Sequence, residues 1–477
     1  MNTVTVTAPC GILTGSRTEW GCEFLGIPYG RADRFAPPEP VSWQGERSCR
    51  SYGSKSMQPA VLGPQPADST WSILGSEDCL NLNVWTPAVS PECPLPVVIY
   101  VHGGAFQVGS NSQPERSGDR FIEDHPMIFV SVNYRLGVLG FLPGEKGTGS
   151  YNNAMRDLLL AFRWVWENIA AFGGDAEDIT LFGISAGAKA IASLMTLPEV
   201  RRHCRKLVLE SGAFQAFRGR ETADFVQDRL LKELPDGVDL MELPAEELVL
   251  AQAKLSDRAG YVGFYGPVYD EELFHEDWKS RWNDEGGWGG SALLGSELWE
   301  LAPLGRTLAA QAPERQEETL RDLFGSSRGM AREAFSRLTG PADARWGRVL
   351  SDFVYRSPLD AMAGWLLEEG SRVWCYSMEY LPATHGQGFG LLMGQWKDAG
   401  RFPDEERMQG ARELSERMRR AVRTFILTGQ PSEDGSWPLW DRKWKMIWNF
   451  PPSVRESDTG SLSPYPESTY TVSKEEN

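Results

Sequence analysis

Residues Gly183-Ile184-Ser185-Ala186-Gly187 place a serine between two glycines, directly after the apolar run Ile179-Thr180-Leu181-Phe182. The run reads as a buried strand, and Ala186 to Leu197 reads as the helix that follows. Glycines two residues to either side leave room for a sharp strand-to-helix turn, which lifts the serine side chain clear of the backbone. The start of the helix then aims N–H groups and the positive end of a dipole at negative charge forming beside the serine. The five letters alone arise often by chance. With strand, turn and helix around them, Ser185 reads as a nucleophile rather than as an ordinary helix-capping serine.

The same strand–helix rhythm recurs. Leu95 to Val101, Met127 to Val132, Ile179 to Ile184, Lys206 to Glu210, Ala292 to Leu294 and Val373 to Met378 are short apolar runs bounded by turn residues. Continuous rather than alternating hydrophobicity suits strands buried on both faces. Between two of them, Leu158, Phe162, Val165 and Ile169 mark a helix over Met155 to Phe172, ended by Gly173-Gly174. The fold class is therefore α/β, a mostly parallel central sheet with helices on both faces. The first ninety residues carry many turns between β-prone pieces and predict an antiparallel N-terminal edge. Helical insertions are expected at approximately 221–260 and 304–368, covering the active site. Leu414, Met418, Val422 and Phe425 mark a long late helix stopped by Gly429, and the tail from Ser453 to Asn477 is polar and proline-broken. Length alone would allow up to about three domains. No proline- or serine-rich linker, internal repeat or low-complexity block divides the 477 residues, so 1–477 is read as a single domain.

Composition narrows the function. A net charge of −17 argues against nucleic acid and against anionic membrane surfaces. The start Met1-Asn2-Thr3-Val4-Thr5-Val6 lacks the basic and apolar regions of a signal peptide, and no apolar run reaches the length of a membrane span. The seven cysteines are odd in number and show no C-x-x-C pair, so neither a zinc site nor a disulfide scaffold is expected. These features point to a cytoplasmic protein.

A serine nucleophile needs a base, usually histidine oriented by a carboxylate. Only His203, His275 and His385 follow Ser185. His203 lies among arginines and reads as a solvated basic turn, and His275 lies in a polar loop. His385 follows the strand-like Val373 to Met378, and open α/β sheets place their sites at the carboxyl ends of strands. Past the strand at Ala292-Leu293-Leu294, Glu297 and Glu300 both fit the acid, and pattern alone does not choose. His102-Gly103-Gly104-Ala105-Phe106, after the first central strand, occupies the slot of an oxyanion loop, whose donors are worth about 3–4 kcal/mol each.

Taken together, the chain resembles the type B carboxylesterase family, which includes cholinesterases. Phe24-Leu25-Gly26-Ile27-Pro28-Tyr29 is similar to the family's early F-x-G-I-P-Y, and Glu77-Asp78-Cys79-Leu80-Asn81-Leu82-Asn83-Val84 to its E-D-C-L-x-L-N-V. Val132-Asn133-Tyr134-Arg135-Leu136-Gly137 and Asn168 to Asp175 match two further blocks, and the resemblance runs nearly end to end. It implies an α/β-hydrolase fold and hydrolysis of carboxylic esters through an acyl-enzyme, with no metal or organic cofactor. The implied residues are Ser185 as nucleophile, His385 as base, Glu300 rather than Glu297 as acid, and Gly104, Ala105 and Ala186 as oxyanion donors. Ser211, in Glu210-Ser211-Gly212, matches a family serine that supports the triad from behind. The implied partner is a small ester or lactone, apolar or aromatic in character.

Three departures stand out. The family usually writes G-E-S-A-G, and Ile184 takes the glutamate's place. The family's early disulfide lacks its first cysteine, since Met57 precedes Gln58 and leaves Cys79 without that partner. The family's H-x-x-E-L-P is replaced by His385-Gly386-Gln387-Gly388-Phe389-Gly390. The departures keep open an acyltransferase, lactonase or cyclase acting through the same three residues in a specialised pathway. A non-catalytic, cholinesterase-like binding protein would be expected to have lost one of them. Isoleucine at position 184 cannot favour a charged histidine as a carboxylate does, which predicts an apolar pocket and slow turnover of cationic substrates. Ile184→Glu is therefore expected to raise kcat/KM on small esters, and an unchanged value would remove the idea.

Overall fold

The computed structural model describes residues 3–61, 71–113, 118–122, 125–144, 149–259, 265–395, 404–449 and 451–456. They group into two compact units, one of Met1–Leu181, Ser193–Cys204 and Phe217–Glu285, the other of Phe182–Ala192, Arg205–Ala216 and Gly286–Asn477. The expected α/β class is the one observed, with a large, mostly parallel sheet, helices, and an antiparallel N-terminal part.

In the first unit, β1 (Thr3–Ala8), β2 (Gly11–Arg17), β3 (Cys22–Pro28) and β4 (Asn81–Thr86) pair antiparallel in sequence order. In β1 the threonines are exposed while Val4, Val6 and Ala8 are buried, the alternation of a sheet covered on one face. The strands β5 (Leu95–Val101) and β6 (Ile128–Val132) pair parallel, with Val97 opposite Ile128 and Val101 opposite Val132. Their apolar runs are buried almost throughout, as continuous hydrophobicity requires. The strand β7 (Gly174–Ile184) begins five residues before the apolar run does. Asp175, Glu177 and Asp178 hid its start, because that half of the strand is only partly covered. Helix α1 (Asn153–Asn168) buries Leu158, Phe162 and Val165, and a short 3-10 turn, Ile169–Phe172, carries it to Gly173. Gly173 has φ +87°, and a Cβ there would lie 2.6 Å from Pro91 Cδ, so only glycine ends this helix without strain.

Two of the sequence blocks form a buried polar frame in this unit. Asn81 and Asn133 both donate to the Ser54 carbonyl, at 2.8 and 3.1 Å, and Asn83 donates to the Asn111 carbonyl at 3.1 Å. Arg135 meets Asp157 in a fork, Nη2 to Oδ1 at 2.7 Å and Nε to Oδ2 at 2.8 Å, with a third bond from Nη1 to the Ala36 carbonyl at 2.7 Å.

In the second unit, β8 (Cys204–Glu210), β9 (Ser291–Glu297), β10 (Arg372–Met378) and β11 (Trp444–Trp448) pair parallel in that order, and β12 (Ser453–Glu456) closes antiparallel on β11. The first residues of the expected polar tail are thus a strand, and 457–477 lie outside the described residues. Helix α2 (Ala186–Leu194) stops three residues before the expected end, because Pro198 disfavours a helical residue at Leu197. Helix α3 (Glu405–Thr428) is capped by Asp404, which accepts from the Arg407 N–H at 2.8 Å, and ends at Gly429, φ +77°. Within the ranges read as insertions, the described residues form Arg220–Leu231 and Ala245–Ala259 in the first unit and seven helical segments from Ala302–Ala310 to Ser357–Glu368 in the second. Among the described residues no helix is long and apolar enough to cross a membrane.

Removing one side of the Arg135–Asp157 fork strands a buried charge. Asp157→Ala is expected to cost about 3–5 kcal/mol of stability, read as a lower midpoint in urea unfolding.

Candidate active site

The chemistry gathers where strands of the second unit end side by side. Ser185 follows the last residue of β7 with φ +55°, a left-handed conformation that a serine adopts only when its surroundings enforce it. Its N–H donates to the Glu210 carbonyl at the end of β8, at 2.8 Å. One residue on, Ser211 also has a positive φ, +56°, and its N–H donates to the Gly295 carbonyl in β9 at 2.8 Å. Helix α2 starts immediately, with the Lys189 N–H donating to the Ser185 carbonyl at 2.9 Å. Two glycines make the approach possible. A Cβ on Gly183 would lie 2.7 Å from the Ala188 nitrogen, and one on Gly212 would lie 2.6 Å from the Ser185 carbonyl oxygen.

His385 sits in the loop after β10. That loop is tied to the loop after β9 by backbone bonds, Trp299 N–H to the Ala383 carbonyl at 2.9 Å and His385 N–H to the Glu300 carbonyl at 3.2 Å. The side chains line up accordingly. His385 Nε2 lies 2.8 Å from Ser185 Oγ, and His385 Nδ1 lies 2.6 Å from Glu300 Oε2. The Glu300 side chain is fully buried, while that of His385 keeps 30% of its surface open. Burial holds the His385 pKa below its ordinary 6.5, so the imidazole is neutral and can accept a proton at neutral pH. Tyr355, on a wide helical turn at Asp352–Arg356, stacks its ring 4.7 Å from the His385 ring. On α2, the Lys189 ammonium lies 4.7 Å from the Tyr355 ring centre.

Behind His385 lies a dense group of acids. Glu300 Oε1 accepts from Ser211 Oγ at 2.6 Å and from the Glu297 N–H at 3.0 Å. Ser211 Oγ is also 2.6 Å from Glu297 Oε2. Glu210 lies beyond, with Oε2 accepting from the Tyr376 hydroxyl at 3.0 Å. Burial pushes the Glu300 carboxyl up to about 7 and the Glu297 carboxyl up to about 8. Burial and the neighbouring Glu297 push Glu210 well above the ordinary carboxylate range.

Ser185, His385, Glu300 and Ser211 thus come together in the structure. Of the two candidate acids, Glu300 meets the histidine, while Glu297 is the last residue of β9 and turns to Ser211. Ala186 begins α2, and Ile184 ends β7, buried. In the first unit, Gly104 and Ala105 follow β5 with φ +120° and +54°, and a Cβ on Gly104 would fall 2.0 Å from the Val108 carbonyl oxygen. The solvated turn expected around His203 is not what forms. The His203 ring stacks 4.1 Å from the Trp166 ring, and the nearby Arg201 is buried with its guanidinium 4.2 Å from the Trp282 ring centre. Sequence reasoning passed over Glu210, Tyr376, Lys189 and Tyr355. A glutamate closing the apolar run Leu207-Val208-Leu209 was a usable signal for Glu210; Tyr355 carried none.

The profile of the carboxylesterase family matches residues 2–456. The para-nitrobenzyl esterase of Bacillus subtilis (strain 168) is 29% identical over 465 residues, covering 91% of this chain and 92% of that one. A probable N-octanoylanthranilate hydrolase of Rhodococcus erythropolis is also 29% identical, over 91% of this chain and 95% of its own. Among solved structures, the carboxylesterase EST55 of Geobacillus stearothermophilus superposes with a TM-score of 0.80 at 28% identity, over 96% of this chain and 98% of that one. The fold is that of an α/β-hydrolase, and the chain is a serine hydrolase acting on carboxylic esters. It belongs to the carboxylesterase family.

Because the Ser185 backbone rests against Gly212, Gly212→Ala is expected to push the serine off its line to His385. Displacements on this scale cost about 100-fold in rate, so kcat should fall by that order, and the forced backbone shift should lower stability by about 1–3 kcal/mol, read as a lower urea midpoint.

Proposed function

We propose that Ser185 is the nucleophile, His385 the general base and Glu300 the orienting acid of ester hydrolysis. The observation that carries this is the single imidazole bridging Ser185 Oγ at 2.8 Å and Glu300 Oε2 at 2.6 Å. Ser185 Oγ attacks the ester carbonyl carbon while its proton passes to His385 Nε2. Glu300 accepts from the Nδ1 proton, which fixes the tautomer and favours the imidazolium that forms. The imidazolium then protonates the departing alkoxide, and the acyl group remains on Ser185. Water attacks that acyl ester, giving its proton to His385, and the carboxylic acid leaves as Ser185 regains its proton. The oxyanion donors are the N–H groups of Gly104, Ala105 and Ala186. This assignment is supported by the helix start at Ala186 and by the positive φ angles and crowded backbone after β5.

The substrate is a small apolar or aromatic ester. Support comes from Tyr355 beside His385, from Ile184 in place of a carboxylate, and from the aromatic rings in two relatives' names, para-nitrobenzyl and N-octanoylanthranilate. The chain is read as one domain that includes the helical segments within 221–260 and 304–368. A cytoplasmic setting is supported by the seven free cysteines, Cys93 exposed among them, and by Met57 in the slot of the family disulfide.

A fluorophosphonate probe is expected to label Ser185 stoichiometrically, and Ser185→Ala to abolish labelling and lower ester hydrolysis by about 10⁶-fold. Glu300→Gln is expected to lower kcat by about 10⁴-fold. Since His385 must be neutral and Glu300 ionised, wild-type kcat/KM falls as pH drops below about 7, first through the raised pKa of Glu300 and then through the lowered pKa of His385. An unlabelled, well-folded wild-type protein overturns the assignment, and acyl transfer to an added alcohol in place of hydrolysis would identify a transferase.

A further inference from the structure

One hydroxyl proton cannot serve two close carboxylate oxygens. Ser211 Oγ stands 2.6 Å from Glu297 Oε2 and 2.6 Å from Glu300 Oε1, yet its single hydrogen can be donated only once. The second short contact therefore needs a proton on a carboxyl. Glu300 is the better anion, because it already gathers the Glu297 N–H at 3.0 Å and His385 Nδ1 at 2.6 Å, besides Ser211. Glu297 receives only the Gly388 N–H at 3.1 Å besides the Ser211 contact. Glu210 repeats the pattern one step further back. Its Oε2 has the Tyr376 hydroxyl and the Phe389 N–H also favours its anion, while its buried Oε1, with no partner in hydrogen-bonding geometry among the described residues, lies within reach of the Glu297 carboxyl.

We propose that Glu297 and Glu210 are protonated positioning residues, forming with Ser211 a one-way hydrogen-bond chain that delivers a single negative charge, on Glu300, to His385. This rests on Ser185, His385 and Glu300 being the reacting groups. Every proton in the chain is accounted for. Tyr376 donates to Glu210 Oε2, and Glu210 donates from Oε1 to Glu297. Glu297 donates from Oε2 to Ser211 Oγ, Ser211 donates to Glu300 Oε1, and His385 Nδ1–H donates to Glu300 Oε2. No external acid, base or redox partner is involved.

The direction of the shifts agrees, with burial pushing Glu300 up to about 7, Glu297 up to about 8 and Glu210 well above the ordinary carboxylate range. The three carboxyls are coupled and titrate as a unit. Glu297 faces Glu210 on β8, Glu300 on its own loop, Tyr376 on β10 and His385 after β10; the Lys189 ammonium on α2 acts on His385 from the other side. Gly388 belongs to the device. It stands three residues after His385, where the family pattern H-x-x-E carries its glutamate, and a Cβ there would lie 2.8 Å from Glu210 Oε1. The carboxyl lost from the loop is supplied here from two strand ends. Leaving only one of three acids ionised keeps His385 a neutral base, since two further charges would raise its pKa.

The deciding measurement is the pH profile of fluorophosphonate labelling and of kcat/KM for wild type, Glu297→Gln and Glu297→Ala. Glutamine preserves the donor to Ser211, so its acid limb is expected to coincide with wild type and its kcat to stay within about threefold. Alanine breaks the chain and leaves Ser211 Oγ and Glu210 Oε1 without this neighbour, which should lower kcat by about 10- to 100-fold at unchanged KM, the scale of a buried polar group left unsatisfied. A shift of the Glu297→Gln acid limb down by about one pH unit would show that Glu297 is ionised in the wild type, and would overturn the proposal. So would equal rates for the glutamine and alanine variants. Infrared spectroscopy gives a readout independent of activity and of either variant's folding. Titration of the wild type through about pH 8 is expected to convert a protonated-carboxyl C=O band to carboxylate, and no such band near neutral pH refutes the chain. Failure of the triad itself appears separately, as absence of labelling at Ser185 in the wild type.

Discussion

Two backbone hydrogen bonds organise the site. The Ser185 N–H reaches the Glu210 carbonyl and the Ser211 N–H reaches the Gly295 carbonyl, so each chain that leaves its strand is held by the strand beside it. Both serines take a positive φ to make these bonds, a conformation of order 1–3 kcal/mol above the alternatives. Buried N–H groups left unpaired would cost a comparable amount, so the lacing and the strain sustain each other. The position of Ser185 thus follows from how the parallel strands end.

The same arrangement delivers the rest of the site. Because β8, β9 and β10 are parallel and in register, Glu210, Glu297 and the loops carrying Glu300 and His385 all emerge at the same edge. A parallel sheet gathers polar groups at its carboxyl end while its interior stays apolar. The outcome is a set of carboxyls buried so deeply that they must share protons, next to a histidine whose own pKa is held down by burial. The acids could not all be ionised there, and it is the restriction to one charge that makes a cluster of glutamates compatible with a neutral base.

The polar frame of the first unit has a different task. Arg135, Asp157 and the asparagines at 81, 83 and 133 are buried and mutually bonded, and they hold backbone in place around β4 and β6. Blocks of sequence that look functional because they are polar and apolar-flanked can be such pins. The distinction shows in their partners: the pins bond to backbone carbonyls and to each other, whereas the Ser185 hydroxyl lies against the His385 imidazole.

Periodicity and local chemistry determined much from sequence. The apolar runs located β5, β6, β8 and β10, glycines marked the ends of α1 and α3, and the strand–turn–helix context singled out Ser185, because these signals depend on residues near one another in the chain. Glu300 and His385, which the structure brings together, were legible as residues just past strands. The first half of β7 was not, since its acids lie where the strand is only partly covered, and neither was the end of α2, which a proline decided. Pattern alone left Glu297 and Glu300 open, and only the family resemblance chose Glu300 and pointed to Ser211; that Glu297, Glu210 and Tyr376 join them was decided by the tertiary structure. The physical reason is that these contacts span up to 166 residues of sequence, and protonation of a buried carboxyl depends on what the fold packs against it.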